Sequence, residues 1–296
     1  MADKNKRSKG IILTVFSYAC VSVAVLLYSL SGDGLESLKT FVKDPGEKEK
    51  QSYVRFISLP RGECSILHSN GETALIDVGS EYDFKSLCSL LDACDIERID
   101  LLFISHLHSE NIGGLEKLIE YYPVDTLVLP QLNGECEAAD LAAKTVGNAG
   151  GSVFTVDAGQ SFSLGTFKIK ILAYFPEMKY EDDRSVIITA YSKGTKFLFM
   201  GDAGIKTEQA LLDLDCNLNC DVLKVACRGD STASGTEFLQ AASPRYAVIP
   251  LSEAQTVILP DKEVLANLEY VGANTFFACD IRFDIQKGKL TYEISE

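Results

Sequence analysis

The sequence predicts an α/β (α+β) fold of four layers: two mixed β-sheets pack face to face, helices cover both outer faces, and one transmembrane helix precedes them. Three observations support this. An uncharged apolar segment of about 20 residues lies near the amino terminus. After residue 53, short apolar runs alternate with amphipathic ones. That alternation stops in mid-chain, where strands follow one another directly, and then resumes, as expected of two sheets that share a core.

The amino-terminal segment has the composition of a membrane anchor. Residues 11–30 read IILTVFSYACVSVAVLLYSL and carry no charge, and about 20 helical residues span a hydrocarbon core of roughly 30 Å. Basic flanks stay in the cytoplasm. We therefore predict a single-pass membrane protein with a cytoplasmic tail over residues 1–10, an anchor over 11–31, a linker over 32–52 and an extracytoplasmic domain over 53–296. The alternative is a signal peptide cleaved near residues 29–31, which would release the domain as a secreted protein.

The formal charge differs between the tail and the rest of the chain. The whole chain carries −14 at pH 7, but residues 1–10 carry +3, which leaves −17 on the other 286 residues. An acidic body repels phosphate backbones, so the charge disfavours nucleic acid as a partner. The predicted partner is the membrane, through residues 11–30, and the sequence specifies no protein partner or small-molecule substrate.

The chain contains nine cysteines, of which Cys20 lies in the predicted anchor and eight lie in the body. An extracytoplasmic location permits disulfides, but eight cysteines allow many pairings and none can be chosen. Buried free thiols are the favoured interpretation for most of them. Cys216 and Cys220 are closely spaced, but no second Cys or His pair stands near them to complete a zinc site.

The first half of the body is predicted to alternate strands with helices. Asn70-Gly71 supplies the positive φ of a tight hairpin between two strands, and the nearly all-apolar run 99–105 is typical of a strand covered on both faces. The predicted strands are 53–59, 64–68, 73–78, 99–105, 126–129 and 153–156, and the predicted helices are 84–94, 115–122 and 137–146.

The second half begins with four strands that have no helices between them, over 161–164, 167–173, 185–191 and 196–200. Alternation then returns, with helices over 205–214, 236–242 and 262–271, strands over 221–226, 246–249 and 275–278, and a closing hairpin of 281–285 and 290–294. One domain of about 240 residues is the simplest account of this order.

Residues 105–114 hold the most informative motif. They read Ser-His-Leu-His-Ser-Glu-Asn-Ile-Gly-Gly after a buried strand, which places two imidazoles at a strand end, where loops form sites. His106 and His108 offer nitrogen ligands, and Glu110 offers a hard ligand or a proton acceptor. The one other histidine, His68, is predicted to be a solvated residue of the hairpin turn.

Five segments carry motifs in a fixed order. They are 75–79 (Leu-Ile-Asp-Val-Gly), 105–114, 199–202 (Phe-Met-Gly-Asp), 223–230 (Leu-Lys-Val-Ala-Cys-Arg-Gly-Asp) and 257–260 (Val-Ile-Leu-Pro). This order and spacing resemble the metallo-β-lactamase fold family and, within it, the extracytoplasmic ComEC-type domain of competence proteins. The resemblance extends over about residues 53–280. It implies an αββα sandwich and metal-dependent hydrolysis at a two-metal site.

The chain departs from the family pattern at three of these motifs. Residues 110–111 are Glu-Asn where the family has Asp-His, residues 227–228 are Cys-Arg where it has His-His, and residues 258–260 are Ile-Leu-Pro where it has Gly-His-Pro. Only His106 and His108 remain of the imidazoles that such a two-metal site employs.

The resemblance therefore implies a reduced site. Two nitrogens and a carboxylate would leave one position of a zinc ion open for water. The implied metal ligands are His106, His108, Asp202 and Cys227, and the implied catalytic residues are Asp77, Glu110 and Asp202. The cofactor is then one Zn²⁺ or another divalent transition metal, or none.

Each of these assignments has a structural alternative. Asp77 could cap a strand end, and Asp202 could cap the helix that follows it. Arg228 could form a salt bridge with Asp202 or Asp230 and fill the cleft in place of a metal. The acidic stretch 181–185, which precedes a strand, is interpreted as solvated surface.

The expected function is that of a membrane-anchored extracytoplasmic protein whose degenerate metal site gives weak mononuclear hydrolase activity or none, as in a pseudo-enzyme. The alternative is an active metal-dependent hydrolase that attacks a phosphodiester or an ester with metal-activated water. A third hypothesis is DNA handling, as in competence proteins, which the acidic body disfavours.

Overall fold

The computed structural model describes residues 51–131, 136–252, 255–277, 280–286 and 289–295. The predicted tail, the predicted anchor and nearly all of the predicted linker lie outside these ranges. Within them, no helix combines the length and the apolarity that crossing a membrane requires.

Fifteen strands occur in the described part of the chain. They are β1 (Ser52–Ser58), β2 (Glu63–Ser69), β3 (Glu72–Ile76), β4 (Leu101–Phe103), β5 (Thr126–Leu129), β6 (Ser152–Thr155), β7 (Ser161–Leu164), β8 (Phe167–Ala173), β9 (Ile187–Ser192), β10 (Thr195–Phe199), β11 (Val222–Lys224), β12 (Tyr246–Ile249), β13 (Asn274–Phe277), β14 (Asp280–Gln286) and β15 (Lys289–Ser295).

Seven α-helices connect these strands in the same ranges. They are α1 (Phe84–Ala93), α2 (Ser109–Ile112), α3 (Leu115–Tyr121), α4 (Glu137–Asn148), α5 (Ile205–Asp213), α6 (Thr236–Ala242) and α7 (Lys262–Tyr270). Short 3₁₀ turns cover Asp182–Arg184, Ala226–Gly229 and Gln255–Val257.

The strands form two mixed sheets. The first sheet has the order β15-β14-β1-β2-β3-β4-β5-β6, and the second has the order β13-β12-β11-β10-β9-β8-β7. In each sheet an antiparallel part leads into a parallel part: β3 to β6 run parallel in the first, and β10 to β13 run parallel in the second. The mixed two-sheet architecture predicted from the alternation of apolar runs is confirmed.

Side chains on alternate positions of a strand enter different layers. Val54 and Phe56 of β1 pack between the sheets, where the Phe56 ring lies 5.7 Å from that of Phe199, whereas Tyr53 and Ile57 pack under the helices. This is the period of two that a strand buried on both faces requires. Helices α1, α3 and α4 cover the first sheet, and helices α5, α6 and α7 cover the second.

The predicted hairpin turn is present, but the prediction for the histidine next to it is wrong. Asn70 and Gly71 both have positive φ, of 58° and 90°, and join β2 to β3. His68 is a residue of β2 and not of the turn. Its ring stacks on Tyr53 with centroids 5.1 Å apart, and its Nδ1 lies 3.0 Å from Oγ1 of Thr73. The pleat directs His68 along the sheet surface onto its cross-strand neighbour.

Strands β4 and β11 each end two residues earlier than predicted, both at the same rim of the sandwich. β4 ends at Phe103, and the backbone N–H of Ser105 donates to Asp77 instead of to a neighbouring strand. β11 ends at Lys224, and the chain enters a turn in which Cys227 has a positive φ of 47°. The residues that follow the parallel strands of both sheets therefore lie at one edge of the sandwich, where loops can form a site.

Candidate metal centre

Asp77 follows the end of β3 and binds two residues of the histidine motif, Ser105 and Asn111. Its Oδ1 accepts the backbone N–H of Ser105 at 2.7 Å, and its Oδ2 accepts the Ser105 hydroxyl at 2.7 Å and the Asn111 amide at 3.1 Å. Asp77 has a φ of 63°, a left-handed conformation that costs about 1–3 kcal/mol in a non-glycine residue. These three donors hold the carboxylate in place despite that cost.

The Ser105 hydroxyl, held by Asp77, in turn fixes the orientation of the His106 ring. Since its single hydrogen is donated to Asp77, the Ser105 oxygen accepts from Nδ1 of His106, which lies 2.9 Å away. The proton of a neutral His106 ring is therefore on Nδ1, and Nε2 presents its lone pair. A ring nitrogen fixed in this way is the usual arrangement for a metal-binding histidine.

His106 and Asp202, which face each other, each have a buried side-chain atom that makes no hydrogen bond to a described residue. These atoms are Nε2 of His106 and Oδ1 of Asp202. Nε2 of His106 lies 3.5 Å from Oδ2 of Asp202, and the His106 side chain is fully buried. A buried polar atom without a partner is rare and calls for an explanation, of which a bound ion is one.

His108 and Asp182 complete a group of four donors. Nδ1 of His108 lies 3.1 Å from Oδ1 of Asp182. Ligand atoms of His106, His108, Asp182 and Asp202 all lie within 4.8 Å of one another. Two imidazole nitrogens and two carboxylate oxygens are a donor set that suits zinc and several other divalent transition metals. The residues present thus fit one metal ion.

The groups around Asp202 keep its carboxyl ionised. Burial opposes ionisation of Asp202, yet the His106 ring and the Lys224 ammonium hold the pKa of that carboxyl well below its ordinary value. Burial likewise opposes charge on His106, but Asp202 and Asp77 outweigh it and raise the pKa of His106. Both directions follow from one cause, which is that a carboxylate and an imidazole face each other with little water between them.

Asp182 was not among the residues singled out in the sequence. The acidic stretch 181–185 was interpreted as solvated surface, but Glu181 accepts the backbone N–H of Leu107 at 3.2 Å, which ties the stretch to the histidine motif. Asp183 is buried and accepts from the Thr207 hydroxyl. The position of this stretch in the sequence could have indicated a role in the site. It is a run of acidic residues directly before a buried strand, at the same rim of the sandwich as the two histidines.

Cys227 lies beside the group of four donors and not within it. Its thiol donates to the main-chain carbonyl of Asp202 at 3.0 Å, and burial raises its pKa to about 12. The Cys227 sulfur is not among the ligand atoms of His106, His108, Asp182 and Asp202 that lie within 4.8 Å of one another. The structure therefore places Cys227 as a support for the Asp202 loop.

Arg228 pairs with Glu110, a partner that differs from the two considered in the sequence. Nη2 of Arg228 lies 3.1 Å from Oε1 of Glu110. Cys227, Arg228 and Gly229 are three consecutive residues with positive φ, of 47°, 50° and 79°. A Cβ on Gly229 would lie 2.7 Å from Cβ of Pro260, so only glycine fits there. This left-handed turn carries the guanidinium toward α2.

The last of the five motifs contributes no ligand. Val257 and Ile258 are 85% and 84% exposed, and their side chains are aliphatic. A metal ligand is thus missing from this loop, as the departure from the family pattern indicated.

The chain matches known proteins at the level of the fold. A model of the metallo-beta-lactamase superfamily matches residues 61–139. The structure resembles that of YhfI from Bacillus subtilis, a metallo-beta-lactamase fold protein, with a TM-score of 0.52, 13% identity and coverage of 82% of this chain and all of that one. The chain has the metallo-β-lactamase fold. A second similar structure is CmlA, a diiron beta-hydroxylase from Streptomyces venezuelae, with a TM-score of 0.54, 13% identity and coverage of 80% of this chain and 54% of that one.

This metallo-β-lactamase-fold chain also has a sequence relative. ComE operon protein 3 of Bacillus subtilis (strain 168) is 24% identical to it over 236 residues, which cover 73% of this chain and 30% of the relative. The chain thus spans less than a third of the length of the relative that it matches. The resemblance to ComEC-type proteins inferred from the motifs is confirmed by this similarity.

The expected site residues occupy different places in the metallo-β-lactamase fold. His106, His108 and Asp202 converge, and Asp182 joins them. Asp77 supports this group through Ser105, whereas Glu110 and Cys227 are held by other partners. Among the described residues, the structure assembles one group of four donors and not two.

Proposed function

We propose that this protein binds one divalent transition metal ion, Zn²⁺ or a chemically similar ion, between His106, His108, Asp182 and Asp202. The observation that carries the proposal is the convergence of four ligand atoms, from His106, His108, Asp182 and Asp202, all within 4.8 Å of one another. At the buried side of this group, Nε2 of His106 and Oδ1 of Asp202 make no hydrogen bond to a described residue, and Nε2 faces Oδ2 of Asp202 at 3.5 Å. An ion bound there would supply the missing partner to both atoms.

A bound ion of this class would supply Lewis acidity and a water that ionises near neutral pH. The chain's own residues limit this chemistry. Four protein donors satisfy the tetrahedral preference of zinc and resemble a closed structural site, whereas catalytic sites keep a position open. Asp182 is the donor best able to withdraw, because its side chain is 49% exposed. We therefore propose slow mononuclear hydrolysis at most.

The active-hydrolase alternative needs a second catalytic carboxylate, and Glu110 is the expected one. Glu110 is bound to Arg228 and to the hydroxyl of Ser109. The guanidinium also contributes to lowering the pKa of Glu110, against the effect of its partial burial. A carboxylate held in its ionised form by an arginine is a poor proton acceptor, so this observation supports weak activity over strong.

We further propose that residues 11–30 anchor the protein and that the domain faces the extracytoplasmic side. The apolar length of this segment and the basic residues before it support the proposal. The acidic body supports partners other than nucleic acid. Protease added to intact spheroplasts should digest the domain and spare the tail. Protection of the domain would contradict this orientation, and recovery of a shortened chain in the medium would indicate a cleaved signal peptide.

Metal content tests the proposed function most directly. Protein purified without chelator should contain one transition metal ion per chain by elemental analysis, and the His106→Ala/His108→Ala double variant should contain none. His68→Ala is the matched control, since His68 lies on the sheet surface against Tyr53 and should leave the metal content unchanged. Two tightly held ions per wild-type chain, or none, would contradict the proposal.

A further inference from the structure

We propose that Arg228 is a tethered cation that takes the place of a second metal ion, so that this site accepts one ion only. This inference rests on the proposed single-ion function and explains why the number is one. It is carried by the Arg228–Glu110 ion pair and by the backbone turn that forms it.

The ion pair removes Glu110 from the possible ligands. Nη2 of Arg228 lies 3.1 Å from Oε1 of Glu110, and the Arg228 side chain is only 16% exposed. Glu110 stands two residues after His108, where the carboxylate of a second ion would be expected from the motif. A carboxylate bound to a guanidinium must lose a charge-assisted hydrogen bond before it can bind a metal.

The positive charge of Arg228 also acts on the carboxylates around the pair. Its guanidinium interacts with Glu63 and Asp202 as well as with Glu110. A divalent ion placed beside Glu110 would therefore approach a fixed positive charge at short range and with little screening. Arginine keeps that charge at every pH at which the protein is folded.

The backbone turn shows that this placement of Arg228 is built into the fold. Cys227 and Arg228 both adopt left-handed φ, at 47° and 50°, which non-glycine residues rarely do in succession. The Cys227 thiol is bound to the carbonyl of Asp202, and Gly229 fits against Pro260 only because it lacks a Cβ. Neighbouring contacts on both sides of Arg228 thus hold a conformation that is unfavourable in isolation.

A titration of metal-free protein with Zn²⁺ tests this role, with calorimetry for affinity and elemental analysis after desalting for stoichiometry. Wild-type protein should bind one ion. Arg228→Ala should bind the first ion about tenfold more tightly, which corresponds to about 1.4 kcal/mol, and should accept a second, weaker ion through the released Glu110. Arg228→Lys keeps the charge and should behave as wild type.

Two further variants separate the charge of Arg228 from other causes. Arg61→Ala is the matched control, because Arg61 stacks on Tyr82 and is not paired with a carboxylate of the site, so its loss should change neither number nor affinity. Glu110→Gln should still bind one ion, since Glu110 is not a ligand. Circular dichroism of each variant reports whether it is folded, and Glu110→Gln keeps the test valid if Arg228→Ala does not fold.

The outcomes separate this inference from the proposed function. One ion in wild type and one in Arg228→Ala, at equal affinity, would overturn the role of Arg228 and leave the single-ion proposal intact. No ion in wild type and none in Arg228→Ala would overturn both. Loss of the single ion in Glu110→Gln would show that Glu110 is a ligand and would also overturn the inference.

Discussion

Glu63 and Lys224 form an ion pair inside the sandwich, and each of the two side chains is only 4% exposed. Nζ of Lys224 also donates to the carbonyl of Gly201 at 3.1 Å, directly before Asp202. Burial opposes the charge on Lys224, but Glu63 and Asp202 raise its pKa above the ordinary value, so the ammonium stays charged. The pair thereby fixes the loop that presents Asp202 to the metal centre.

Replacing one member of this pair should destabilise the domain strongly. In Lys224→Met, Glu63 loses its partner and must either keep an unpaired buried charge or take up a proton, since burial already raises its pKa; such breaks cost about 3–5 kcal/mol. The double variant Glu63→Gln/Lys224→Met should recover more than half of that loss, because neither position of the pair then carries a charge. Urea unfolding followed by circular dichroism measures both.

The control for this prediction is a solvated ion pair. Arg98 lies near Asp100 and Asp125 with its side chain 56% exposed, so Arg98→Met should change the free energy of unfolding by no more than about 1 kcal/mol. If Lys224→Met costs no more than Arg98→Met does, the buried pair is not a stabilising element.

The hydroxyl of Ser105 should be necessary for tight metal binding. Ser105→Ala removes the group that joins Asp77 to Nδ1 of His106, so the ring loses its fixed orientation and its fixed proton. Loss of such a supporting contact lowers metal affinity by about 10–100-fold. Competition with a chromophoric chelator measures this, and the number of ions at saturation should stay at one.

Ser109→Ala is the matched control for Ser105→Ala. The Ser109 hydroxyl donates to Glu110 at 3.1 Å in an exposed position and does not touch a proposed ligand. Equal affinities of the two variants would show that the Asp77–Ser105–His106 contacts do not influence metal binding.

The sheets could be predicted from the sequence because burial imposes a regular spacing on the apolar residues of each strand. Residues such as Val54 and Phe56 alternate with Tyr53 and Ile57 between two apolar layers, and this pattern is visible in the residue order alone. The convergence of His106, His108 and Asp202 was also predictable, since each lies in the loop that follows a buried strand.

The contacts of the site were less accessible from the sequence, for two physical reasons. Asp182 reaches His108 from a loop that enters the second sheet, and residue order does not report distances between loops of different sheets. Arg228 was expected to face Asp202 or Asp230 but faces Glu110, because the chain is left-handed at Cys227 and Arg228. Neither residue type signals that conformation.

One local signal was nevertheless present. Lys224 is the last residue of the buried strand β11, and a charged residue at such a position is rarely buried without a partner. That position alone predicts an opposite charge somewhere in the core. Glu63, which begins β2, is that charge, but its identity required the tertiary structure.

Glu208 should make the stability of the domain depend on pH. The residue is 2% exposed, and its carboxyl accepts the backbone N–H groups of Ser234 and Gly235. Burial raises its pKa from 4.5 to about 7, although the two N–H groups lower it. Between about pH 4.5 and pH 7 the unfolded chain loses this proton while the folded protein keeps it. Stability from this group is therefore present at low pH and is lost as the pH rises, by up to about 3 kcal/mol.

Glu208→Gln isolates this effect, because glutamine keeps an acceptor oxygen but does not titrate. The free energy of unfolding of Glu208→Gln minus that of wild type should increase steadily from pH 4.5 to pH 7 and then level off. Urea unfolding at intervals across this range measures the difference. A difference that is constant with pH would show that the carboxyl titrates at its ordinary value in the folded protein.

Asp182 should control whether the metal centre can act on a substrate. If four protein donors close the coordination of the ion, Asp182→Ala opens one position to water. The affinity for Zn²⁺ should then fall, since a charged donor is lost, while hydrolysis of a chromogenic phosphodiester or ester per bound ion should rise. Assays at saturating Zn²⁺, normalised to metal content, distinguish the two effects.

Glu177→Gln is the matched control for Asp182→Ala, because Glu177 is an exposed acidic residue of the same segment and lies outside the group of four donors. It should leave both affinity and rate unchanged. An unchanged Zn²⁺ affinity in Asp182→Ala would exclude Asp182 from the ligands. A fall in rate per bound ion would instead assign Asp182 to catalysis, since its carboxylate would then be needed after the ion is in place.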